Sequence, residues 1–417
     1  TTEAPVPTTE APVPTTAAPA TTTEAPPPPP PPSTASPATT TATSTSTVMR
    51  TSPRNTTTPR PTPPHDHCTE HPGTSYRLDW RAMGKTFFDD WTFQLNDYNN
   101  GAVEYLPHGE AVAEGVVQAH DTHAILRTGS KSARPYKRKS AKIQSNRAWT
   151  YFLMTMKFSH TPWGCGLWPA FWTHAPGFPW PEGGELDLLE YVNDLPSQTS
   201  FHTGGSNRCA MDGGVVNMPF CPPMPDTNGM NYDCTTKYPL KLGCAPNKLP
   251  LWSPFEWAHN PGVMAVQWTE RFVKVFYIPE KEIPADLEKD DPYPDGWDRW
   301  LVSWYPFALS NERWPGSCPN PADVMKPQQL IMNINFCGDW AGKVWPLSGS
   351  CVNRVGPHFP LQCRAVDPLL DRRPNASAED CCSQFIWDED GRYGTDQYLA
   401  ERAYFNISWV KVYSPKE

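Results

Sequence analysis

Residues 184–190 read GELDLLE, in which three acidic residues are interspersed with three leucines. In a regular β-strand, side chains alternate between two faces, so Glu185 and Asp187 would share a face and Glu190 would lie on the other. One extra residue at a β-bulge around Leu188–Leu189 would shift this alternation and bring all three carboxylates to one face. The leucines would then face the core. The segment therefore predicts a bulged strand with an acidic face.

Three carboxylates on one face suit several kinds of site. A retaining glycosidase needs two carboxyl groups about 5–5.5 Å apart, one as nucleophile and one as general acid and base. Glu185 and Glu190 could approach a sugar from its two sides, and Asp187 between them could orient the nucleophile. Mutual repulsion would raise the pKa of one member and keep it protonated. A solvated run of surface acids and a calcium site remain open from this string alone.

Strand patterns dominate the chain after residue 68. The segments that predict strands are rich in aromatic and β-branched residues, and several alternate apolar with polar residues. They are residues 86–95, 122–128, 149–158, 262–278, 329–336 and 404–413. Residues 262–278 are typical of a hairpin, with its turn at Thr269–Arg271. No stretch shows a sustained helical period, so the sequence predicts an all-β antiparallel sandwich.

The composition changes abruptly near residue 66. Residues 1–65 are mostly Pro, Thr, Ala and Ser, and such a segment cannot bury enough apolar surface to offset its backbone entropy. We expect it to be disordered, either as an O-glycosylated, mucin-like stalk or as a plain flexible tail. All 18 tryptophans and all 12 cysteines lie in residues 66–417, which we predict to form one large domain.

The cysteines and the net charge restrict the compartment and the partners. Twelve cysteines without a Cys-x-x-Cys pair predict an oxidising compartment and as many as six disulfides. Three N-glycosylation sequons, at Asn55, Asn375 and Asn406, agree with secretion. The sequence has no run of about 18 apolar residues, so it predicts no membrane span. The net charge of −9 disfavours nucleic acid, whose phosphates favour a basic surface.

Several motifs occur together in an order that resembles glycoside hydrolase family 16. The similarity is to the laminarinase-like, fungal-type branch of secreted endo-β-1,3(4)-glucanases, and it covers residues 74–350 and 403–413. The motifs are RKSAKIQS (138–145), GCGLWPAFW (164–172), WPEGG (180–184), ELDLLEYVN (185–193), SFHTGG (200–205) and INFCGDWAG (334–342).

The resemblance implies a fold and a set of catalytic roles. The fold would be a β-jelly roll of two curved antiparallel sheets with a substrate cleft on the concave face. Glu185 would be the nucleophile, Glu190 the acid/base and Asp187 the assisting residue. The spacing E-x-D-x-x-E, one residue longer than E-x-D-x-E, is what the β-bulged branch of the family carries.

The resemblance also implies substrate-binding residues. Trp172, Trp180 and Trp340 match platform positions, on which the apolar C–H faces of a sugar would stack. His202 matches a histidine near the acid/base, and Arg138 matches an arginine that binds substrate hydroxyl groups. The alternatives are core packing for the tryptophans, a structural role for the histidine and a plain surface charge for the arginine.

Three further features are a tryptophan outside the expected site and two departures from the family pattern. Trp168 is expected in the core. Glu104 precedes Tyr105 where the fungal-type branch often has an asparagine. Residues 353–398 are longer than the family equivalent, and we interpret them as an insertion that forms an extra cleft wall or an interaction surface.

These observations favour a secreted retaining endo-β-glucanase that hydrolyses β-1,3- or mixed β-1,3/1,4-glucan. The alternatives are a transglycosylase that remodels a cell wall and a non-catalytic glucan-binding protein, although relatives of the latter kind lose glutamates that this chain retains. We expect a β-glucan substrate, no nucleic acid partner, no membrane span, and a monomer. The reading implies no cofactor and no metal in the site, and it leaves a structural calcium ion open. The expected location is extracellular, in association with a cell wall or matrix.

Overall fold

Strand-forming segments make up most of the chain that the structure describes. The structure is a computed structural model, and it describes residues 72–196, 198–204, 209, 234–236, 243–245, 253–306, 324–354, 378–388 and 391–416. These residues belong to one compact unit, Pro64–Glu417. The predicted stalk, residues 1–65, and the sequons at Asn55 and Asn375 lie outside the described residues.

The strands are numbered in chain order. They are β1 (Tyr76–Met83), β2 (Trp91–Phe93), β3 (Val103–Tyr105), β4 (Val117–Ala119), β5 (Ala124–Arg127), β6 (Arg138–Ser140), β7 (Lys142–Ser145), β8 (Leu153–His160), β9 (Leu167–His174), β10 (Glu185–Glu190), β11 (Gln198–His202), β12 (Gly262–Trp268), β13 (Phe272–Pro279), β14 (Leu301–Pro306), β15 (Gln329–Phe336) and β16 (Tyr404–Pro415).

The strands form two antiparallel sheets and one short parallel pair. The larger sheet has the order β14-β13-β12-β8-β16-β5-β4, with β1 also paired to β16. The smaller sheet has the order β11-β10-β9-β15-β7-β2. β3 and β6 pair in parallel next to β15. The predicted all-β sandwich of antiparallel sheets is therefore confirmed.

The core fills the space between the two sheets because alternate residues of the facing strands are apolar. In β15, Leu330, Met332 and Ile334 are fully buried in this core. Asn333 and Asn335 alternate with them and therefore point to the other side of the smaller sheet. This side, which we call the outer face of the smaller sheet, carries the polar side chains of β15.

The larger sheet is apolar on both faces. In β12, Met264 and Val266 face the core, whereas Val263 and Ala265 belong to a second apolar cluster on the opposite side. Trp297 is part of that cluster, so the segment after β13 covers this side of the sheet. Because both faces are covered, the strand reads as a continuous apolar run.

Short helices and disulfides occupy the connections. The α-helices are His108–Ala113, Pro254–His259, Ala285–Glu288, Gly349–Arg354, Ala378–Trp387 and Asp396–Arg402. The 3₁₀ turns are Gly84–Thr86, Glu280–Glu282, Pro294–Gly296, Asp298–Trp300 and Trp345–Leu347. Disulfides join Cys165 to Cys351, Cys234 to Cys244 and Cys337 to Cys382. No cysteine in the described part of the chain is free, as expected for an oxidising compartment.

Most strand predictions are confirmed. Residues 329–336 coincide with β15, and the predicted hairpin turns at Thr269, whose N–H donates to the Phe272 carbonyl at 2.9 Å. Residues 86–95 differ, because only Trp91–Phe93 is a strand there. Gly84 has a positive φ of 61° and starts a 3₁₀ turn before that strand. Among the described residues, no helix is long and apolar enough to cross a membrane.

We expect Leu188→Ala to lower the free energy of unfolding by about 2–5 kcal/mol, because Leu188 is fully buried in the core. Urea unfolding followed by far-UV circular dichroism measures the change. Leu95→Ala is the control, since Leu95 is 55% exposed and its truncation should change the value by less than about 0.5 kcal/mol. Equal losses in the two variants would contradict the burial of the bulge leucine.

Candidate active site

β10 contains the bulge that its sequence predicts. Asp187 lies opposite Trp172 of β9, but the next paired residue of β10 is Leu189, opposite Phe171. Leu188 is therefore the extra residue, and the register against β11 shifts in the same interval. The prediction of a bulge is confirmed.

The bulge separates the leucines from the acids. All three leucines of β10 are buried in the core between the sheets. Asp187 lies in register with Trp172, whose indole N–H donates to Asn333 Oδ1 at 2.8 Å, so both belong to the outer face. Glu185 interacts electrostatically with both Asp187 and Glu190. The outer face of the smaller sheet thus brings the three carboxylates together.

Glu185 is held in a buried but polar position. It is 8% exposed. Burial raises the pKa of its carboxyl group well above the usual value, and the negative charges of Asp187 and Glu190 raise it further. A hydrogen bond from Trp180 and the positive charge of Lys142 act in the opposite direction and favour the carboxylate. Trp180 and Lys142 therefore limit the rise, and the pKa of Glu185 remains raised overall.

Asp187 is part of a hydrogen-bonded chain on β11. The Ser200 hydroxyl donates to Asp187 Oδ2 and lies 3.1 Å from His202 Nε2. The same nitrogen is 3.3 Å from Asp187 Oδ2, and His202 Nδ1 lies 3.1 Å from Thr236 Oγ1. Both imidazole nitrogens thus have partners. These hydrogen bonds fix the Asp187 carboxylate beside Glu185.

The structure corrects the place of His202. The family resemblance puts this histidine near the expected acid/base, Glu190. In the strand register, however, His202 pairs with Glu185, whereas Glu190 pairs with Gln198. His202 Nε2 lies 4.0 Å from Glu185 Oε1. The imidazole therefore lies at the Glu185 end of the acidic group.

Glu190 contacts an aromatic wall. Trp168 Nε1 donates to Glu190 Oε1 at 2.7 Å, and Trp340 meets Trp168 edge-on with ring centroids 5.6 Å apart. Burial raises the pKa of Glu190 well above the usual value, and the charge of Asp187 adds to this. The Trp168 N–H favours the carboxylate and so lowers this pKa. A carboxyl group whose pKa is raised in this way suits a general acid.

The predicted tryptophans lie around the acidic group. Trp180 is 39% exposed and donates a hydrogen bond to Glu185. Trp172 lies one strand away, opposite Asp187. Trp340 stands beside the indole that binds Glu190. All three are therefore placed where a sugar bound at the carboxylates could reach them.

Arg138 lies elsewhere, and its expected role is corrected. It is fully buried, and its guanidinium donates to the carbonyls of Ile386 and Gly394 and pairs with Asp396. These partners occupy its donors in the interior, away from substrate hydroxyl groups. All three partners lie within the predicted insertion, residues 353–398. Arg138 therefore anchors this segment to β6.

The insertion is tied into the domain. Cys382 bonds to Cys337, and Phe385 packs against Trp345 with ring centroids 5.2 Å apart. Residues 355–377 and 389–390 lie outside the described part of the chain. Whether the segment forms a cleft wall stays a prediction.

Sequence reasoning missed three residues of the site. Trp168 was expected in the core, and it is 9% exposed, but its N–H reaches Glu190. Lys142 and Ser200 were not singled out, although the Lys142 ammonium lies 5.5 Å from the centre of the Trp172 ring. The alternation of side chains along the strands was the signal that could have found Lys142 and Ser200. Lys142 pairs with Asn333, and Ser200 with Asp187, on the outer face.

One group in the described part of the chain has the spacing of a metal site. The ligand-type atoms of Glu185, Asp187 and His202 all lie within 4.8 Å of one another. Asp187 Oδ2 and His202 Nε2 already take part in the hydrogen bonds through Ser200, and Glu185 pairs with His202 in the strand register. Hydrogen bonding therefore accounts for their closeness, and we assign the group to carboxylate chemistry.

A family model matches this site and most of the sandwich. The model of the XgeA-like catalytic domain of glycoside hydrolase family 16 matches residues 91–359, which is more than half of the chain. The chain belongs to glycoside hydrolase family 16. The resemblance seen in the sequence is confirmed, and β10 lies inside the matched range.

Fungal proteins are similar to this family 16 chain. A probable glycosidase of Schizosaccharomyces pombe is 28% identical over 309 residues, 70% of this chain and 68% of the relative. A probable endo-1,3(4)-beta-glucanase of Aspergillus fumigatus is 30% identical over 304 residues, 67% of this chain and 42% of the relative. An endo-1,3(4)-beta-glucanase of Arthroderma benhamiae is 26% identical over 348 residues, 81% and 65% of the two chains. The chain thus spans less than half of the Aspergillus relative.

Solved family 16 structures share the fold. Laminarinase 16A from Phanerochaete chrysosporium, with β-glucans in its donor and acceptor sites, has a TM-score of 0.62 at 24% identity, and 82% of this chain covers 100% of that chain. An elongating family 16 beta-1,3-glucosyltransferase has a TM-score of 0.60 at 26% identity, with the same coverage. The predicted jelly-roll fold is confirmed.

We expect Asp187→Asn to lower the pKa of Glu190 in this family 16 site, because the charge of Asp187 is one cause that raises it. The measurement is a ¹³C NMR titration of the glutamate side-chain carboxyl carbons, assigned with Glu190→Gln. Asp121→Asn is the control, since this exposed aspartate pairs with Lys85 on the surface. An unchanged or raised pKa in Asp187→Asn would contradict the electrostatic account.

Proposed function

We propose that this chain is a secreted retaining endo-β-glucanase that hydrolyses β-1,3- or mixed β-1,3/1,4-linked glucan. The observation that supports it most is the bulge at Leu188, since it gives Glu185, Asp187 and Glu190 a common face. The relatives named endo-1,3(4)-beta-glucanase support the substrate class. The disulfides support an extracellular location.

In the first step, a Glu185 oxygen attacks the anomeric carbon of a bound glucan. The glycosidic C–O bond breaks, and Glu190 gives its proton to the leaving oxygen. The raised pKa of Glu190 supports this role, because the group keeps its proton at a pH where an ordinary glutamate would have lost it. Asp187, held by Ser200 and His202, orients the attacking carboxylate.

In the second step, Glu190 acts as a base. It is now a carboxylate, which its hydrogen bond from Trp168 stabilises. It takes a proton from a water molecule, the water oxygen bonds to the anomeric carbon, and the bond to Glu185 breaks. Two inversions at the same carbon leave the product with the β configuration of the substrate.

The aromatic side chains around the acids are the proposed sugar contacts. Trp180 exposes 39% of its surface beside Glu185, and Trp340 stands at the Glu190 end, with Trp172 between them. Their rings can stack on the apolar faces of successive glucose units. We assign His202 to the unit at the nucleophile, because it lies 4.0 Å from Glu185.

Transglycosylation is the second candidate. The similarity to an elongating beta-1,3-glucosyltransferase, at a TM-score of 0.60, favours its inclusion. The attack by Glu185 is the same, and a sugar hydroxyl replaces water in the second step. The two functions therefore differ only in the acceptor.

Laminarin, lichenan and xyloglucan test the substrate class. We expect reducing ends from laminarin or lichenan, and a loss of kcat/KM on the order of 10⁴-fold or more in Glu185→Gln, which lacks the nucleophile. Glu288→Gln, an exposed glutamate far from the site in sequence, is the matched control and should keep full activity. Oligosaccharides longer than the substrate would favour transglycosylation. Release from xyloglucan alone, or equal rates in Glu185→Gln, would contradict the proposal.

Azide separates the roles of the two glutamates. In Glu190→Gly, azide should attack the glycosyl-enzyme formed from an activated aryl glucoside and give a β-glycosyl azide. In Glu185→Gly, it should attack the substrate directly and give an α-glycosyl azide, because only one inversion occurs. ¹H NMR of the first product distinguishes the anomers. An α azide from Glu190→Gly with a β azide from Glu185→Gly would exchange the roles of nucleophile and acid/base. An α product from the unmodified enzyme would exclude a retaining mechanism.

A further inference from the structure

Asn193 is a buried amide near the Glu190 end of the site, and no step above uses it. It is 1% exposed and lies three residues after the end of β10. Its φ of 55° is uncommon outside glycine, and asparagine is among the residues that tolerate it best. A residue held in this conformation indicates that its surroundings specify its position.

The Asn193 side chain joins two turns of the chain. The Gly166 N–H donates to its Oδ1 at 2.8 Å, and its Nδ2 donates to the Ala341 carbonyl at 2.8 Å. The backbone N–H of Asn193 also donates to the Leu167 carbonyl at 3.0 Å. The Cys337 N–H donates to the Gly166 carbonyl at 2.9 Å, so the two turns meet directly as well.

The two tryptophans at Glu190 adjoin these turns, Trp168 at the start of β9 and Trp340 within the second turn. Gly166 is two residues before Trp168, whose N–H donates to Glu190 Oε1 at 2.7 Å. Ala341 follows Trp340, which packs edge-on against Trp168 at 5.6 Å. A shift of either turn would therefore move an indole relative to the carboxyl group.

Two disulfides hold the same turns from the other side. Cys165 bonds to Cys351 in the helix Gly349–Arg354, and Cys337 bonds to Cys382 in the helix Ala378–Trp387. Each bond fixes one turn to its own helix, and neither joins one turn to the other. The pairing of Leu167 with Phe336 joins β9 to β15 beside the turns, and the Asn193 amide and the bond from the Cys337 N–H join the turns themselves.

We propose that Asn193 is a positioning residue, which sets the contact between Trp168 and Glu190 and so places Glu190 to protonate the leaving oxygen. The inference rests on the proposed function, because it takes Glu190 as the acid/base. It assigns the amide a part in the reaction although it does not touch the reacting atoms.

The charges near Glu190 define the pH effect. Asp187 and Glu185 face it from its own strand, and the nearby turn adds Asp339, which pairs with Lys343 at 2.9 Å. The Trp168 N–H lowers the pKa of Glu190. Loosening this bond raises that pKa, so the alkaline limb of kcat/KM should move to higher pH. The acid limb, which reports Glu185, should stay in place.

Asn193→Gly tests the proposal, because glycine keeps the positive φ and removes both side-chain bonds. We expect kcat/KM on laminarin to fall about 100-fold, the effect of a misplacement near 1 Å. On a dinitrophenyl β-laminaribioside, whose leaving group needs no proton, it should stay within about threefold. Trp168→Phe should shift the alkaline limb in the same direction, and Asn193→Gly added to it should shift it little further.

Gln267→Ala is the matched control. Gln267 is also a buried amide, and its Nε2 donates to the Tyr76 hydroxyl at 3.1 Å, but it lies on the larger sheet. Loss of this amide should lower the stability of the protein and leave the ratio of the kcat/KM values for the two substrates unchanged.

Equal losses on both substrates with an unmoved alkaline limb would overturn the proposal and leave Asn193 a purely structural residue. A crystal structure of Asn193→Gly gives a readout independent of activity. We expect the bond between Trp168 Nε1 and Glu190 Oε1 to lengthen beyond 3.5 Å, and its retention at 2.7 Å would overturn the inference. A wild-type protein that cleaves no glucan would contradict the proposed function, and this distance would still decide the role of Asn193.

Discussion

The extra residue at Leu188 is the constraint on which the site depends. Each buried leucine contributes about 1.5–3 kcal/mol to stability, so the leucines of β10 hold that strand firmly on the core. In a regular strand, either Glu190 would face the core or a leucine would face the outer side of the sheet. The bulge removes this conflict, because Leu188 and Leu189 can both enter the core while the carboxylates stay on the outer face. The hydrophobic effect thus brings the acids together.

Carboxylates held together in this way need polar partners. Burial and mutual repulsion raise the pKa values of Glu185 and Glu190, and an unpartnered buried charge would cost several kcal/mol. Indole N–H groups meet this need, from Trp180 for Glu185 and from Trp168 for Glu190. An indole donates one hydrogen bond and carries no charge, so it stabilises a carboxylate less than a cation does. This moderate stabilisation is what the proposed acid/base role of Glu190 requires, since that role needs a carboxyl group able to gain and lose a proton.

The sequence predicted the bulge, several strands such as β12, β13 and β15, and the family, because each depends on local pattern. It failed where side chains meet partners distant in the chain. Arg138 begins a motif of the family resemblance, but its guanidinium binds the Ile386 carbonyl, which is 248 residues away. Trp168 has the burial of a core residue, and only the position of Glu190 shows that its N–H has a second use. The helix Ala378–Trp387 was missed because ten residues show too little helical period in a loop-rich region.

The two ends of the acidic group are built differently. At Glu185, the partners lie mainly on neighbouring strands, since Ser200 and His202 follow from the pairing of β10 with β11. At Glu190, β9 supplies Trp168, but the surrounding wall depends on loops that a sheet does not position. Disulfides and the Asn193 amide hold those loops instead. Strand pairing thus positions most partners of the proposed nucleophile, whereas the proposed acid/base depends more on loops for its support. Two disulfides, Cys165–Cys351 and Cys337–Cys382, support the loops at the Glu190 end, so these loops belong to the architecture of the site as much as the strands do.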